Sequence, residues 1–497
     1  MAESIAKKQT KQKQKRGGFL KGAATIATGG FIAKLIGALY RIPLTNLIGG
    51  HGIGLYQMVY PTYCLLLTVS ATGIPSSIAK LTAERIGKGQ SSAPVFKTAM
   101  RLFLLIGFFG SVLMAVIAPF LSRAQGSPEI TGGYYALAPA VLLVSAISVF
   151  RGWFQGKNDM LPTALSEVCE QLVKVAFGLI FAYLYRGNIV KAVVFLLLAV
   201  SISELFALFL IFTLYRRAKD GEKTGNEGGR VASKAILRLS IPLTFGAILL
   251  PLSSLLDSVL AVRLMGKYAS DAVALYGLFS GGAVTVINLP VSICYGIAAA
   301  SVPAVAEAKA KEELREQAHA EKTSTDENNA HENDLDKGNG KTPSVRKRIF
   351  YSLGITVLIA LPSAVGLYLF AEPAVRLIYR SLQGEELGTL VALVKAFSIS
   401  ALTLSLVQTT SACLTAQGKP RHAAVSMLIA VLVKTVAELL LLRNPKISVF
   451  GLVYATNLCY TVAFFIDLIY NLYISRKRGR TPRQRRKAND NGHRSGC

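Results

Sequence analysis

A chain of 497 residues that is 52% hydrophobic, only 17% charged and positive in mean hydropathy (+0.44) is too apolar for a string of soluble domains. Its net charge of +27 would suit a nucleic-acid binder if the chain were soluble. Most of the 55 Lys and Arg, however, fall in the two tails and in alternate loops between apolar stretches, the pattern that membrane topology imposes. Composition therefore excludes a soluble enzyme or nucleic-acid partner and points to an all-α polytopic membrane protein.

In chain order, a basic tail over residues 1–18 (Lys7 to Arg16) leads into apolar stretches long enough to cross a bilayer, each of about 20 residues or more. The first half gives expected spans at 19–42, 54–83, 96–122, 132–151, 160–185 and 190–215. A polar linker, 216–234, contains Arg216, Arg217, Asp220 and Arg230. The second half gives 235–263, 271–306, 347–370, 387–416, 421–442 and 448–474, and a second basic tail follows over 475–497. Pro61 and Pro75, and Pro290 and Pro303, are expected to bend or break the second and eighth spans. Residues 307–345 are rich in Glu, Lys, Asn and Asp, a composition that cannot bury a core; a charged helical extension running into disorder is expected. Both basic tails place both termini in the cytoplasm, which requires an even number of spans.

The two halves repeat one another. Gln155-Gly156-Lys157 and then Leu172-Val173-Lys174 in the first half return as Gln417-Gly418-Lys419 and Leu432-Val433-Lys434 in the second. Leu55-Tyr56 with Ala83-Glu84 likewise returns as Leu275-Tyr276 with Ala306-Glu307. Six spans per repeat keep both halves in one orientation, so the expected architecture is two six-helix lobes, 19–215 and 235–474, related by a pseudo-twofold axis along the membrane normal. No Ala-x-Ala-type site follows the first apolar stretch, so no cleaved signal peptide is expected. The six cysteines are scattered without metal-ligand spacing or a disulfide framework, and a solvated loop explains His319 and His331 better than a metal site does. With no nucleophile, phosphate loop or metal motif in view, no enzymatic activity, cofactor or metal is expected.

Lys34-Leu-Ile-Gly-Ala-Leu-Tyr-Arg-Ile-Pro-Leu, followed by Gly49 to Gly54 and Leu55-Tyr-Gln-Met-Val-Tyr-Pro, is the most distinctive stretch. It resembles the stage V sporulation protein B family of Gram-positive bacteria, flippases of lipid II and polysaccharide precursors within the multidrug/oligosaccharidyl-lipid/polysaccharide exporter superfamily. The resemblance implies a V-shaped two-lobed fold and outward movement of a lipid-linked cell-wall or polysaccharide precursor across the plasma membrane by alternating access. The implied partners are lipid II or another lipid-linked oligosaccharide, membrane lipids and cell-wall synthesis proteins. Two departures stand out: there is no pair of extra C-terminal helices, and no arginine at the second- and eighth-helix positions, here near Cys64 and Thr285, where distant relatives carry one.

Ionisable residues inside spans are costly and therefore functional candidates. The cations expected to meet an anionic head group are Lys34, the first choice because it lies mid-span with no acidic neighbour within a turn, then Arg41, and after these Lys174, Lys395 and Lys434. Glu170 with Lys174, and Lys434 with Glu438, are four apart and are equally well read as pairs that neutralise themselves. Lys80, near Glu84, reads as a snorkelling residue. Among the buried acids Asp257, beside Ser253, Ser254 and Ser258, and Glu204 are the expected carriers of a coupling ion; a serine-bonded Asp257, or one paired with Arg263, is the alternative. Two other functions fit the same sequence: a cation-coupled drug exporter of the superfamily, and a membrane scaffold for wall-synthesis or sporulation enzymes.

Overall fold

The computed structural model describes residues 2–71, 73–220, 233–325 and 345–478. The middle of the linker, the expected disordered part of the 307–345 insertion and the end of the basic C-terminal tail lie outside these. The described chain is helical throughout its regular elements: α1 (Ala2–Ala71), α2 (Ile74–Gly87), α3 (Ala93–Ala124), α4 (Thr131–Gly156), α5 (Leu161–Leu184) and α6 (Ile189–Asp220) form the first half. The second half comprises α7 (Ser233–Met265), α8 (Ala272–Gly277), α9 (Val284–Thr325), α10 (Val345–Leu369), α11 (Ala371–Ile378), α12 (Gly384–Phe397), α13 (Ile399–Ala416), α14 (Pro420–Leu441) and α15 (Phe450–Arg478).

Ten described helical stretches are long and apolar enough to cross a membrane. One of them, Thr28–Gly87, is two crossings folded at Gly49. α5 is also long enough to cross, and carries Glu167, Glu170 and Lys174 among its apolar residues. Together these give the twelve crossings expected. The described chain thus crosses an even number of times and enters and leaves on one face, called the tail side below; Gly49 and the α5–α6, α7–α8 and α14–α15 turns lie on the far side.

The first two spans are not joined by a loop. α1 reverses at Gly49 alone, whose φ of 69° is the left-handed region that glycine occupies without a Cβ clash. The second crossing runs on through Pro61 and breaks instead at Gly73 (φ 78°), after which Pro75 sits at the start of α2, where its missing N–H is harmless. In the eighth crossing the irregularity also differs from expectation. α9 runs through Pro290 and Pro303 as one helix, and the departure is a π-helical turn at Leu278–Ala283, built on Gly281-Gly282. That wide turn frees carbonyls for other partners: Gln57 Nε2 donates to Ser280 O (3.0 Å) and Tyr379 Oη to Gly282 O (3.3 Å).

α3, α4, α5 and α6 gather around α1 and α2 as one lobe, and α9, α10, α13, α14 and α15 pack together as the other, with α7 bridging to α1, α2 and α14. Repeat landmarks occupy matching places: Gln155-Gly156-Lys157 and Gln417-Gly418-Lys419 close α4 and α13 on the tail side, and Lys174 and Lys434 lie midway along α5 and α14. An aromatic cluster of Phe96, Phe150, Trp153 and Tyr215 ties α3, α4 and α6 together near the tail side. The outer faces leave large apolar side chains such as Phe109, Phe120, Phe209 and Leu358 uncovered. That would be an aggregation hazard in water and is the expected lipid contact in a bilayer.

Candidate functional site

Two cavities, of about 700 Å³ and 350 Å³, lie where the lobes meet. Arg41, Gln57, Tyr60 and Asn288 line both, so the two form one cleft. The larger belongs mainly to the first lobe, the smaller to the second.

Repeat spacing builds the wall of the larger cavity. Glu167, Glu170, Gln171 and Lys174 recur at intervals of three and four on α5, which puts all four on one helix face, and that face turns into the cavity. Arg151 of α4 reaches across to it, its Nε donating to Ser166 Oγ at 2.9 Å and its guanidinium pairing with Glu170 at 3.3 Å. Glu170 thereby takes Arg151 rather than Lys174 as its ion-pair partner, so the expected self-neutralising pair on α5 is not formed. Glu204 of α6 accepts from Tyr63 Oη at 3.1 Å through one oxygen, while its other oxygen is buried with no hydrogen bond. Tyr56 and Tyr60, stacked at 5.2 Å, and the amides of Gln57, Gln155, Gln171 and Asn288 complete a polar, aromatic lining. Formally, Arg41, Arg151 and Lys174 offset Glu167, Glu170 and Glu204.

The smaller cavity is organised around Lys434. Its ammonium lies 2.5 Å from Asp257 of α7, 3.1 Å from Ser253 Oγ and 3.5 Å from Glu438, one turn further along α14. Asp257 is therefore paired across helices with Lys434, and neither the serines nor Arg263 supplies its counter-charge. The equivalent place in the first lobe differs. Lys174 has Gly178 where Lys434 has Glu438, and the hydroxyl of Tyr40 fills the space above Gly178. One lobe's lysine is thus bound to its own carboxylates, while the other's lines the larger cavity.

Of the residues expected at the site, Arg41, Lys174, Lys434, Asp257 and Glu204 all line the cleft. Arg41 bridges the lobes, donating to Thr285 Oγ1 at 3.2 Å. Lys395, half-buried on α12, lines neither cavity. Lys34 lies on α1, but its side chain is outside the described residues. Sequence reasoning passed over Arg151, Gln171 and Asn288; the acidic stripe on α5 was the available signal that a basic partner had to face it.

On the far side the cleft is sealed. Gly50 and Gly54 of α1 meet Gly277 and Gly281 so closely that a Cβ on Gly54 would lie 2.1 Å from Val273 O, and one on Gly277 would lie 2.2 Å from Gly50 O. Two small-xxx-small pairs thus bring backbone against backbone. Asn46 Nδ2 donates to Ile378 O (3.0 Å), and His51 pairs with Asp271 (2.8 Å) across the same seam. Near the tail side, Ser240 of α7 donates to Ser77 Oγ of α2 (3.0 Å).

A two-lobed bundle of membrane-crossing helices around a polar interlobe cleft is the build of a membrane transporter. The model of the family described as "polysaccharide biosynthesis protein" matches residues 19–309, more than half of the chain, and the chain belongs to that family. It is 26% identical over 309 residues to stage V sporulation protein B of Bacillus subtilis, a match covering 60% of each chain. It is 23% identical over 476 residues to the lipid II flippase MurJ of the same organism, covering 90% of this chain and 82% of the relative. Its fold is similar to the inward-facing conformation of a multidrug-resistance MATE family transporter of the MOP superfamily, with a TM-score of 0.72, 15% identity, and coverage of 90% of this chain and 96% of that one. The chain is a multi-pass membrane protein of the polysaccharide biosynthesis protein family, with the fold of these transporters.

Proposed function

We propose that this protein is a flippase that carries a lipid-linked cell-wall or polysaccharide precursor, resembling lipid II, from the inner to the outer leaflet of the plasma membrane by alternating access of its lobes. The observation that carries this reading is the larger cavity: a space of about 700 Å³ at the lobe interface, with Arg41 and Lys174 turned into it. Ammonium and guanidinium groups in a low-dielectric cleft form strong charge-assisted hydrogen bonds to phosphate oxygens. Tyrosine faces and amides suit sugar rings and hydroxyls, so the head group crosses in the cleft while the acyl tail stays in lipid. Lys34 joins these cations in the proposal, whereas Lys434, locked to Asp257, acts on the substrate only through the second lobe. Asp257 and Glu204 remain the acids through which an ion would drive the cycle. Both termini, the 216–234 linker and the 307–345 insertion face the cytoplasm in this reading. No bond is made or broken.

The three carboxylates and stacked tyrosines of the same cavity also favour a second reading, export of a cationic drug or metabolite. One experiment separates the two. The chain is expressed in a bacterium whose own lipid II flippase can be shut off, and lipid II reaching the outer leaflet is quantified for wild type, Arg41→Ala, Lys174→Ala and Lys34→Ala. Restored export that falls at least tenfold in Arg41→Ala or Lys174→Ala supports the flippase and its site. No export from a well-folded wild type, together with resistance to cationic dyes that Glu170→Gln abolishes, overturns it in favour of the drug exporter.

A further inference from the structure

The second lobe buries more negative than positive charge. Lys434 brings one ammonium; Asp257 and Glu438 bring two carboxyls. Glu438 is 0% exposed, and both of its oxygens lack a hydrogen-bond partner. The Lys434 ammonium lies 3.5 Å away, within ion-pair reach but without a hydrogen bond, its donors being turned to Asp257 at 2.5 Å and Ser253 at 3.1 Å. The other titratable groups facing this pocket among the described residues are Tyr276 of α8 with Cys459 and Tyr460 of α15, side chains ordinarily uncharged at neutral pH, and Arg41 at the mouth of the smaller cavity. Two ionised carboxyls here would leave an uncompensated charge in the middle of a membrane protein, which is far costlier than taking up one proton. A metal ion is a poor alternative, because the resident ammonium already occupies the centre of the donor set.

We propose that Asp257, Lys434 and Glu438 form a proton-carrying site, in which Glu438 holds one proton when Lys434 is bound to Asp257 and releases it when the lobes rearrange. The proton passes from the Glu438 carboxyl to water entering the smaller cavity, which also hydrates the Asp257 carboxylate freed from Lys434, and Glu438 takes a proton back from water when Lys434 returns to Asp257. The linkage to movement is structural. Asp257 and Ser253 sit on α7, the helix that packs against both lobes, whereas Lys434 and Glu438 sit on α14, which packs against α7 within the second lobe. If rocking slides α7 along α14, Lys434 loses Asp257, turns to Glu438 and favours its ionised form. Close carboxyl pairs that share one proton are a recurrent way to build such a switch. Glu438 then carries the proton, and Asp257, named above as a coupling acid, acts by holding and releasing Lys434. The repeat supports a dedicated role, since the first lobe keeps the lysine but has glycine in place of this carboxyl.

This inference rests on the alternating-access reading only for its role in the cycle, so the two are tested separately. Infrared spectra of the purified full chain, recorded across a pH series, read the proton without any substrate. Wild type should keep a protonated-carboxyl stretch at pH values where exposed carboxylates are ionised. The Glu438 component of that band should be lost in Glu438→Gln and persist in Glu204→Gln and in Asp467→Asn, which removes the buried carboxylate held by Thr410, Ser411 and Ser426. If Glu438→Gln does not fold, Glu438→Asp should shift the band instead. Absence of the band from wild type, or its survival unchanged in both Glu438 variants, overturns the site. For the cycle, proteoliposomes containing the full chain and lipid II as probe are subjected to a pH gradient. Glu438→Gln should retain exchange at equal pH and lose the response to the gradient; a variant that still responds overturns the coupling role.

Discussion

Adding one methyl group at Gly54 tests whether the far-side seam is a gate. The nearest atom to the new Cβ would be the Val273 carbonyl oxygen at 2.1 Å, followed by the Val273 carbonyl carbon at 2.8 Å. These are backbone atoms of α8 and cannot swing aside as a side-chain tip would. Ordinary contact begins at 3.4 Å, so α1 and α8 must separate by 3.4 − 2.1 = 1.3 Å. Overpacking of this kind costs about 1–3 kcal/mol. Because the seam joins α1 of the first half to α8 of the second, the cost falls mainly on the far-side-closed arrangement. A bias of about 1–3 kcal/mol changes a two-state ratio by roughly 5- to 150-fold. The assay places cysteines at Asn46 and Ser381, whose side chains bond across the seam at 3.1 Å, and follows their linkage by a short bifunctional thiol reagent in membranes. Gly54→Ala should slow linkage by that factor with the melting temperature nearly preserved. As a contrast, Gly107→Ala, which would clash with Ser145 inside the first lobe at 2.5 Å, should lower the melting temperature and leave linkage alone. Unchanged linkage in a folded Gly54→Ala protein would refute the gate.

Two further outcomes follow from buried polar groups of the second lobe. Lys434→Gln strands Asp257 and Glu438 and should cost about 3–5 kcal/mol of stability, whereas Asp257→Asn/Lys434→Gln should recover part of that loss; strictly additive losses in a double-mutant cycle would show that the pair is not coupled. Asp467→Ala removes the common acceptor of Thr410, Ser411 and Ser426 and should lower stability by about 1–3 kcal/mol in thermal unfolding, while Asp467→Asn, which keeps an acceptor oxygen, should cost less.

The crossings were readable because a bilayer demands apolar length, and the matched tripeptides at Lys174 and Lys434 could be aligned by eye. Most observed helices begin and end within a few residues of expectation. What could not be read depends on contacts distant in sequence. The turn at Gly49 looked like a loop because hydropathy does not show whether glycines bend a helix or end it. The π turn at Leu278–Ala283 owes its place to partners on α1 and after α11. Helix rotation decides whether a charge faces the cleft or a neighbour, so Lys174 and Lys395 looked alike as letters, and only packing turns the first into the cavity. Asp257 and Lys434 are 177 positions apart, and no local pattern joins them. The acidic stripe on α5 was legible, and would have asked for Arg151.

The matched charges of the larger cavity bear on how voltage can act. With Arg41, Arg151 and Lys174 offset by Glu167, Glu170 and Glu204, the described lining of the unloaded cavity is formally balanced when all six are ionised, and such walls can swing through the membrane field with little electrical work. A cargo with two negative charges would change that: each charge crossing the full field exchanges about 2.3 kcal/mol per 100 mV with it. Membrane potential would then bear on the laden stroke and spare the empty return, so a transporter with a balanced cavity is rectified by its passenger.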